Sequence, residues 1–350
     1  MRFWPMSTSA CPKQFIDFLG TGKSLFQMTV DRFKPLVPIS QFYVVTNERY
    51  YSIVKSQVPE LDDSQILLEP FRKNTAPCIA YANWKIKKIN PNANIVVTPS
   101  DHLIFNEASF VEHMRSALSC TENNAWLLTL GIQPTRPETG FGYIQCDENN
   151  RYLPDPRISK VKLFTEKPQL ELAKSFIESG DFLWNAGIFV WKLPVIQQAF
   201  ENFLPEIHAL FQGIEDELGT EREKAAIERV YAECPSISID YGVMEKALNV
   251  NVMSSDFGWT DLGTWSALQE QMKQDAENNV LLASNGNAFV YHCSNSIISA
   301  PKDKVVVAEG LDNYIVAVTD DVVLICRKDE EQNIRQFVTD VQIAKGEKFV

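Results

Sequence analysis

The stretch TPSDH, residues 98–102, closes an apolar run with Ser100 and Asp101. A carboxylate at such a place can ligate a Mg2+ that bridges phosphates, because hard divalent cations prefer carboxylate oxygens and keep several waters. It can equally cap a turn or a helix. FTEKP, residues 164–168, sets Glu166 beside Lys167. There the carboxylate can accept from sugar hydroxyls while the ammonium meets a phosphate; a solvated surface ion pair is the other reading. In GWTDLGTW, residues 258–265, Asp261 stands among residues too bulky and rigid for a simple surface loop, with a structural Asx turn as the alternative. Arg2 and Lys13 belong to a stretch of small residues broken by Pro5 and Pro12, a loop of the kind that holds anions.

Two further stretches suit a ligand crevice. RPETGFGYI, residues 136–144, supplies Gly140 and Gly142, where backbone can approach a ligand closely or merely turn. WNAGIF, residues 184–189, sets Asn185 in an apolar strand, where an amide needs partners. Histidines 102, 113, 208 and 292 show no ligand spacing, so a zinc site is not expected; His102 reads as packing or support for Asp101. No Gly-x-Ser-x-Gly elbow occurs, and the triplet Gly22-Lys23-Ser24 has Asp17 where a full Gly-x4-Gly-Lys-Ser/Thr phosphate loop needs its first glycine, leaving covalent catalysis without a candidate nucleophile.

The elements that must carry these residues alternate. Strands are expected over 42–47, 66–70, 94–101 and 126–132, with helices between them. One such helix starts near Thr75 as N-cap and sets Ile79, Ala82, Ile86 and Ile89 on one face. This rhythm predicts an α/β fold, Rossmann-like, with a mixed but mainly parallel sheet covered on both sides. Ligands then bind at the carboxyl ends of strands, where Asn47, Glu69, Ser100 and Asp101 fall. Residues 140–193 read as a β-rich insertion lidding the sheet. Six short apolar segments after about residue 279, the last RQFVTDV, predict a small all-β domain. The division is therefore expected at 1–275 and 276–350, in the polar run KQDAENN.

The 350 residues are 45% hydrophobic and 22% charged, ordinary values for a globular chain of this length. A net charge of −12 argues against a nucleic-acid or anionic-membrane surface. Seven scattered cysteines read as a reduced cytoplasmic protein. No run reaches the ~18 apolar residues of a membrane span, and the first residues lack the layout of a signal peptide.

Taken in order, RFWPMS…PKQF, EPFRKNTAPCIAYA, PSDHLI, RPETGFGYI, FTEKP, WNAGIFVW, SIDYGVMEKA (238–247) and GWTDLGTW resemble mannose-1-phosphate guanylyltransferase, or GDP-mannose pyrophosphorylase, within the sugar nucleotidyltransferases. The likeness runs from residue 2 to about 270 and more loosely beyond. It implies transfer of GMP from GTP to mannose 1-phosphate, giving GDP-mannose and pyrophosphate. Asp101 and Asp261 would hold Mg2+, and Arg2 and Lys13 would grip the triphosphate. Glu166, Asn185 and the backbone near Gly142 would hold mannose hydroxyls, and Lys167 would meet the sugar phosphate. The Glu69–Thr75 stretch, with Glu69, Asn74 and Thr75, would lie by the guanine, and Ser100 would join the substrate-binding residues. Both reactants are anions, so catalysis is positioning plus charge neutralisation.

The tail resembles the family's short β-helical domain, which often helps subunits associate, so a homodimer through it is expected. Without six-residue periodicity it carries no second activity. The family also carries a first buried strand and a Gly-Gly-x-Gly-Thr turn whose N–H groups cradle phosphates. Met1 stands where that threonine falls. The expectation is a chain without this strand and loop, with exposed strand edges, poorly soluble or nearly inactive with GTP. A catalytically silent nucleotide-sugar-binding homologue is the rival reading.

Overall fold

The structure, a computed structural model, describes residues 3–283 and 286–350. It forms two compact units: one of Phe33–Pro99 with Phe105–Trp259, the other of residues up to Arg32 with Ser100–Ile104 and Thr260–Val350. In chain order the strands are β1 (Val44–Asn47), β2 (Ile66–Glu69), β3 (Asn94–Val97), β4 (Leu103–Ile104), β5 (Leu127–Ile132), β6 (Gly142–Arg151), β7 (Ile158–Glu166), β8 (Phe182–Lys192) and β9 (Val250–Ser255), before the C-terminal ones.

In the larger unit a six-stranded sheet runs β3-β8-β5-β9-β7-β6, and β6 also pairs with β8. β1 and β2 pair parallel with each other, Val44 beside Ile66 and Asn47 beside Glu69. The sheet is mixed, as expected, but antiparallel pairing predominates: β5 and β9 run parallel, while β8 opposes β3, β5 and β6, and β7 opposes β6 and β9. The reason is β8. Residues 140–193 do not form a lid; β8 inserts between β3 and β5 as a full member of the sheet. Nine of its eleven residues are buried, which requires cover on both faces.

Helices Thr75–Lys87, Leu193–Phe203, Pro205–Gly213 and Glu223–Glu233 supply one core with Leu183, Phe189 and Trp191 of β8. Trp84, Phe200 and Phe211 pack ring against ring there, each such burial contributing roughly 2 kcal/mol. The first helix differs from the expected one. Asn74, not Thr75, is its N-cap, accepting from Thr75 N at 2.9 Å. Its buried residues are Ala76, Pro77, Ile79, Ala80, Tyr81, Asn83 and Trp84. It ends at Lys87, ahead of the Asn90-Pro91 break, so Ile89 is 72% exposed.

In the smaller unit, strands Val280–Ala283, Ile297–Ala300 and Tyr314–Val318 stack in parallel, and Val323–Arg327 closes the sheet antiparallel. Val280 lies beside Ile297 and Ile297 beside Ile315, so each coil takes 17 or 18 residues, as in a short β-helix. The sixth predicted strand is instead part of a helix, Ile334–Lys345. Ile334 and Val338, four apart, share its buried face, a helical period read as a strand. The N-terminal loop belongs to this core: Phe3 packs on Trp265 at 5.4 Å, and Trp4 Nε1 donates to Phe349 O at 2.7 Å. Among the described residues no helix is long and apolar enough to cross a membrane.

Gly131 of β5 pairs with Asn185 at a bulge. A Cβ there would meet Leu183 Cδ1 at 2.6 Å and Val252 Cγ2 at 2.7 Å. Gly131→Ala should therefore destabilise the protein by about 1–3 kcal/mol, the usual range for overpacking. The check is the midpoint of urea unfolding; an unmoved midpoint would mean that Leu183 and Val252 yield without cost.

Candidate functional site

In the larger unit, Gly142, Glu166, Lys167 and Asn185 come together. Gly142 opens β6 directly across from Glu166, which ends β7. A Cβ on Gly142 would lie 2.5 Å from Glu166 Oε2 and 3.3 Å from Asn185 Cβ, so only glycine lets these two side chains approach. The Glu166 side chain is 9% exposed, and its Oε1 meets Lys167 Nζ at 2.6 Å. Burial pulls the Lys167 ammonium down, but the hydrogen bond and charge of Glu166 outweigh it and hold Lys167 above its ordinary value. Lys167 has φ +48°, an uncommon conformation for a residue with a Cβ. Its N–H donates to Phe141 O at 3.1 Å, which ties this turn to the glycine loop.

Asn185 is buried and makes three hydrogen bonds. Its Oδ1 accepts from Thr129 Oγ1 at 2.8 Å and from Gly187 N at 3.2 Å, and its Nδ2 donates to Asp240 Oδ1 at 2.9 Å. Asp240 opens a π-helical turn, Asp240–Met244, a geometry frequent at functional sites. Burial, then the nearby Glu166 charge, pushes its carboxyl up to about 6. Glu245 Oε1 accepts from Glu166 N at 3.0 Å, and Tyr241 Oη donates to Glu166 O at 3.3 Å.

Glu69, Asn74 and Thr75 lie along the β2–helix connection of the same unit. Glu69 Oε1 accepts from Tyr231 Oη at 2.8 Å, and burial raises its pKa despite that bond. Asn74 is engaged as the helix cap. Thr75 Oγ1 accepts from Ile239 N at 2.9 Å, anchoring the segment that presents Asp240.

The smaller unit gathers Lys13, Asp101 and Asp261. Lys13 Nζ lies 3.2 Å from Asp101 Oδ2 and donates to the backbone carbonyls of Asp261 and Leu262. The carbonyls are aimed by an uncommon turn, with Leu262 buried at φ +45° and its N–H donating to Thr260 Oγ1 at 3.2 Å. Burial would raise Asp101, but the charges of Lys13 and His102 and the Lys13 hydrogen bond bring it below the ordinary carboxylate value. Burial lowers the His102 pKa although Asp101 and Asp261 oppose this, and His102 Nε2 lies 3.7 Å from Asp101 Oδ1. Ser100 directly precedes Asp101. Arg2 lies outside the described residues.

Among the described residues no group of three or more His, Cys, Asp or Glu gathers as a metal cage. The donor set of Asp101 and Asp261 instead suits a hard cation that keeps waters and borrows phosphate oxygens.

Residues 1–278 match the family described as Nucleotidyl transferase, and residues 286–341 match the MannoseP isomerase/GMP-like beta-helix domain. A mannose-1-phosphate guanylyltransferase of Escherichia coli is 34% identical over 351 residues, covering 98% of this chain and 74% of that protein. The chain belongs to the mannose-1-phosphate guanylyltransferase family of nucleotidyltransferases. Another mannose-1-phosphate guanylyltransferase, from Sinorhizobium fredii, is 35% identical over 344 residues, 96% of this chain and 65% of that protein. A crystal structure from Thermus thermophilus, described as a mannose-1-phosphate geranyltransferase, superposes with a TM-score of 0.86 at 30% identity, over 97% of this chain and 96% of that one.

The contacts of Asp240, Glu245, Thr129 and Tyr231 within these clusters are not legible from sequence pattern. Asp240 and Glu245 stand in SIDYGVMEKA, where an acid inside an apolar run was the available signal.

Because Asp101 is depressed in the folded state, the Lys13 pair stabilises above the unfolded carboxylate pKa of about 3.9 and is lost on acidification. Lys13→Ala should cost about 1–2 kcal/mol at pH 7, discounted because the pair is partly exposed. The difference should narrow as pH falls to about 4.5 and Asp101 of the variant takes up a proton. Urea unfolding at the two pH values tests this; an equal difference at both would remove Asp101 as the partner that matters.

Proposed function

We propose that this chain transfers GMP from GTP to mannose 1-phosphate, releasing pyrophosphate and giving GDP-mannose, with Mg2+ and in the cytoplasm. The observation that carries the reading is the gathering of Lys13, Asp101 and Asp261 from three distant parts of the chain. The names of the relatives supply the sugar and the nucleotide.

In the reaction, a phosphate oxygen of mannose 1-phosphate attacks the α-phosphorus of GTP. The bond from that phosphorus to the bridging oxygen of the β-phosphate breaks, and pyrophosphate leaves with the electron pair. Held by Asp101 and Asp261, Mg2+ would neutralise phosphate charge. Lys13, with Arg2, holds the triphosphate. Glu166 accepts from mannose hydroxyls, Asn185 and the backbone at Gly142 complete the sugar contacts, and Lys167 meets the sugar phosphate. The Glu69–Thr75 stretch, with Glu69, Asn74 and Thr75, lies by the guanine in this reading, with Ser100 on the nucleotide. No group needs to form a covalent bond to substrate, because charge placement and alignment suffice. Association of two chains through the C-terminal strands belongs to the same reading.

Steady-state pyrophosphate release tests these assignments. Asp261→Asn should lower kcat by at least ~10²-fold, the scale of losing one electrostatic stabiliser. Glu166→Gln weakens a charged acceptor by roughly 1–2 kcal/mol; it should raise KM for mannose 1-phosphate with KM for GTP little changed. Near-normal turnover in the first variant would remove Asp261 from the metal. A shift in the GTP constant alone would move the sugar away from Glu166.

A further inference from the structure

We propose that Asp240 is a positioning residue that locks the Asn185 amide with its oxygen turned into the fold, so that Asn185 meets the sugar as a hydrogen-bond donor. The inference rests on the sugar reading given above for this cluster.

The argument is one of donors and acceptors. Asn185 Oδ1 is claimed by the Gly187 N–H at 3.2 Å and the Thr129 hydroxyl at 2.8 Å. Asn185 Nδ2 gives one N–H to Asp240 Oδ1 at 2.9 Å. Rotating the amide by half a turn would set Nδ2 against the backbone N–H of Gly187 and Oδ1 against the Asp240 carboxylate. Both contacts would be repulsive, so the network permits one orientation. An amide carries two N–H donors, and the second has no protein acceptor among the described residues. In a strand this dry, an unmatched donor costs free energy that a ligand hydroxyl recovers.

Glu166, an acceptor, stands beside the Asn185 side chain, since Glu166 Oε2 and Asn185 Cβ both crowd the same point over Gly142. Donor next to acceptor matches two neighbouring hydroxyls of a sugar, one accepting from Asn185 and one donating to Glu166. Asp240 is held there at a cost. Burial and the Glu166 charge both disfavour its ionised form, and only the backbone, Lys167 and Asn185 oppose them. A side chain needed merely to fill the turn would carry no such penalty. Its backbone is fixed independently, through Glu245 N donating to Asp240 O at 3.0 Å and Ile239 N donating to Thr75 Oγ1.

Two readouts separate the lock from the function. The first is NMR of the protein labelled with 15N at asparagine, without substrate. The Asn185 side-chain amide should give two widely separated proton signals, one shifted by the carboxylate. In Asp240→Ala the pair should collapse toward the values of a free amide, while Asp240→Asn, which keeps an acceptor, should hold them apart. The second readout is kinetic. Asp240→Ala should raise KM for mannose 1-phosphate at least ~10-fold with KM for GTP within ~2-fold. Asp240→Asn should stay within ~3-fold of the parent, and Asn185→Ala/Asp240→Ala should be no worse than Asn185→Ala alone, because coupled residues are not additive. Thermal melting confirms that each variant folds. Unaltered amide signals in Asp240→Ala would overturn the lock, and an additive double variant or an unmoved sugar KM would overturn the donor role. If the parent protein neither binds nor consumes mannose 1-phosphate, the sugar reading fails, and the amide spectra still decide whether Asp240 holds Asn185.

Discussion

A strand that is paired on both edges and covered on both faces leaves a polar side chain nothing to bond but protein or ligand. β8 is such a strand, and Asn185 is its polar residue. The consequences spread outward from that amide. Thr129 must offer a hydroxyl from β5, Asp240 must bring a carboxylate in from a π-helical turn, and Thr75 must hold that turn's approach. Gly142 must lack a side chain so that Glu166 can stand beside Asn185. Each of these sits on a different element, so the Asn185–Glu166 cluster is as precise as the sheet that carries it.

The smaller unit solves a different problem, that of holding an ammonium and a carboxylate side by side. Lys13 is kept in place by Asp101 and two backbone carbonyls. Three acceptors around one ammonium let it bind in the resting protein without being locked by a single strong ion pair. Partial exposure of both partners tempers the attraction, because water screens such pairs. In the proposed reading, a phosphate competes for this ammonium and the carboxylate is left for a cation.

The elements of the larger unit were legible where local pattern and tertiary context agree. β1, β2, β5 and the helix Glu107–Asn123 fall where their apolar periods put them. The partner of each strand was not legible: β8 reads as an insertion in sequence order, yet joins strands far from it along the chain. RQFVTDV shows the limit of short segments, since Ile334 just before it supplies the second buried residue of a helical pair. Among candidate site residues, charged side chains at strand ends stand out by type, and Gly142, Glu166, Lys167 and Asn185 lie together in space. Asn74 and Thr75 illustrate the opposite case, with side chains drawn into capping and anchoring. Asp240 stayed hidden because its importance lies in which amide it faces, a fact of tertiary packing alone.

The most direct test of the functional account is to follow GTP, mannose 1-phosphate and Mg2+ with the protein by 31P NMR. The account predicts that paired resonances of a nucleotide diphosphate sugar and the signal of pyrophosphate grow together in equal amounts while both substrates decline. Hydrolysis of GTP with mannose 1-phosphate untouched, or a spectrum that does not change, would contradict it.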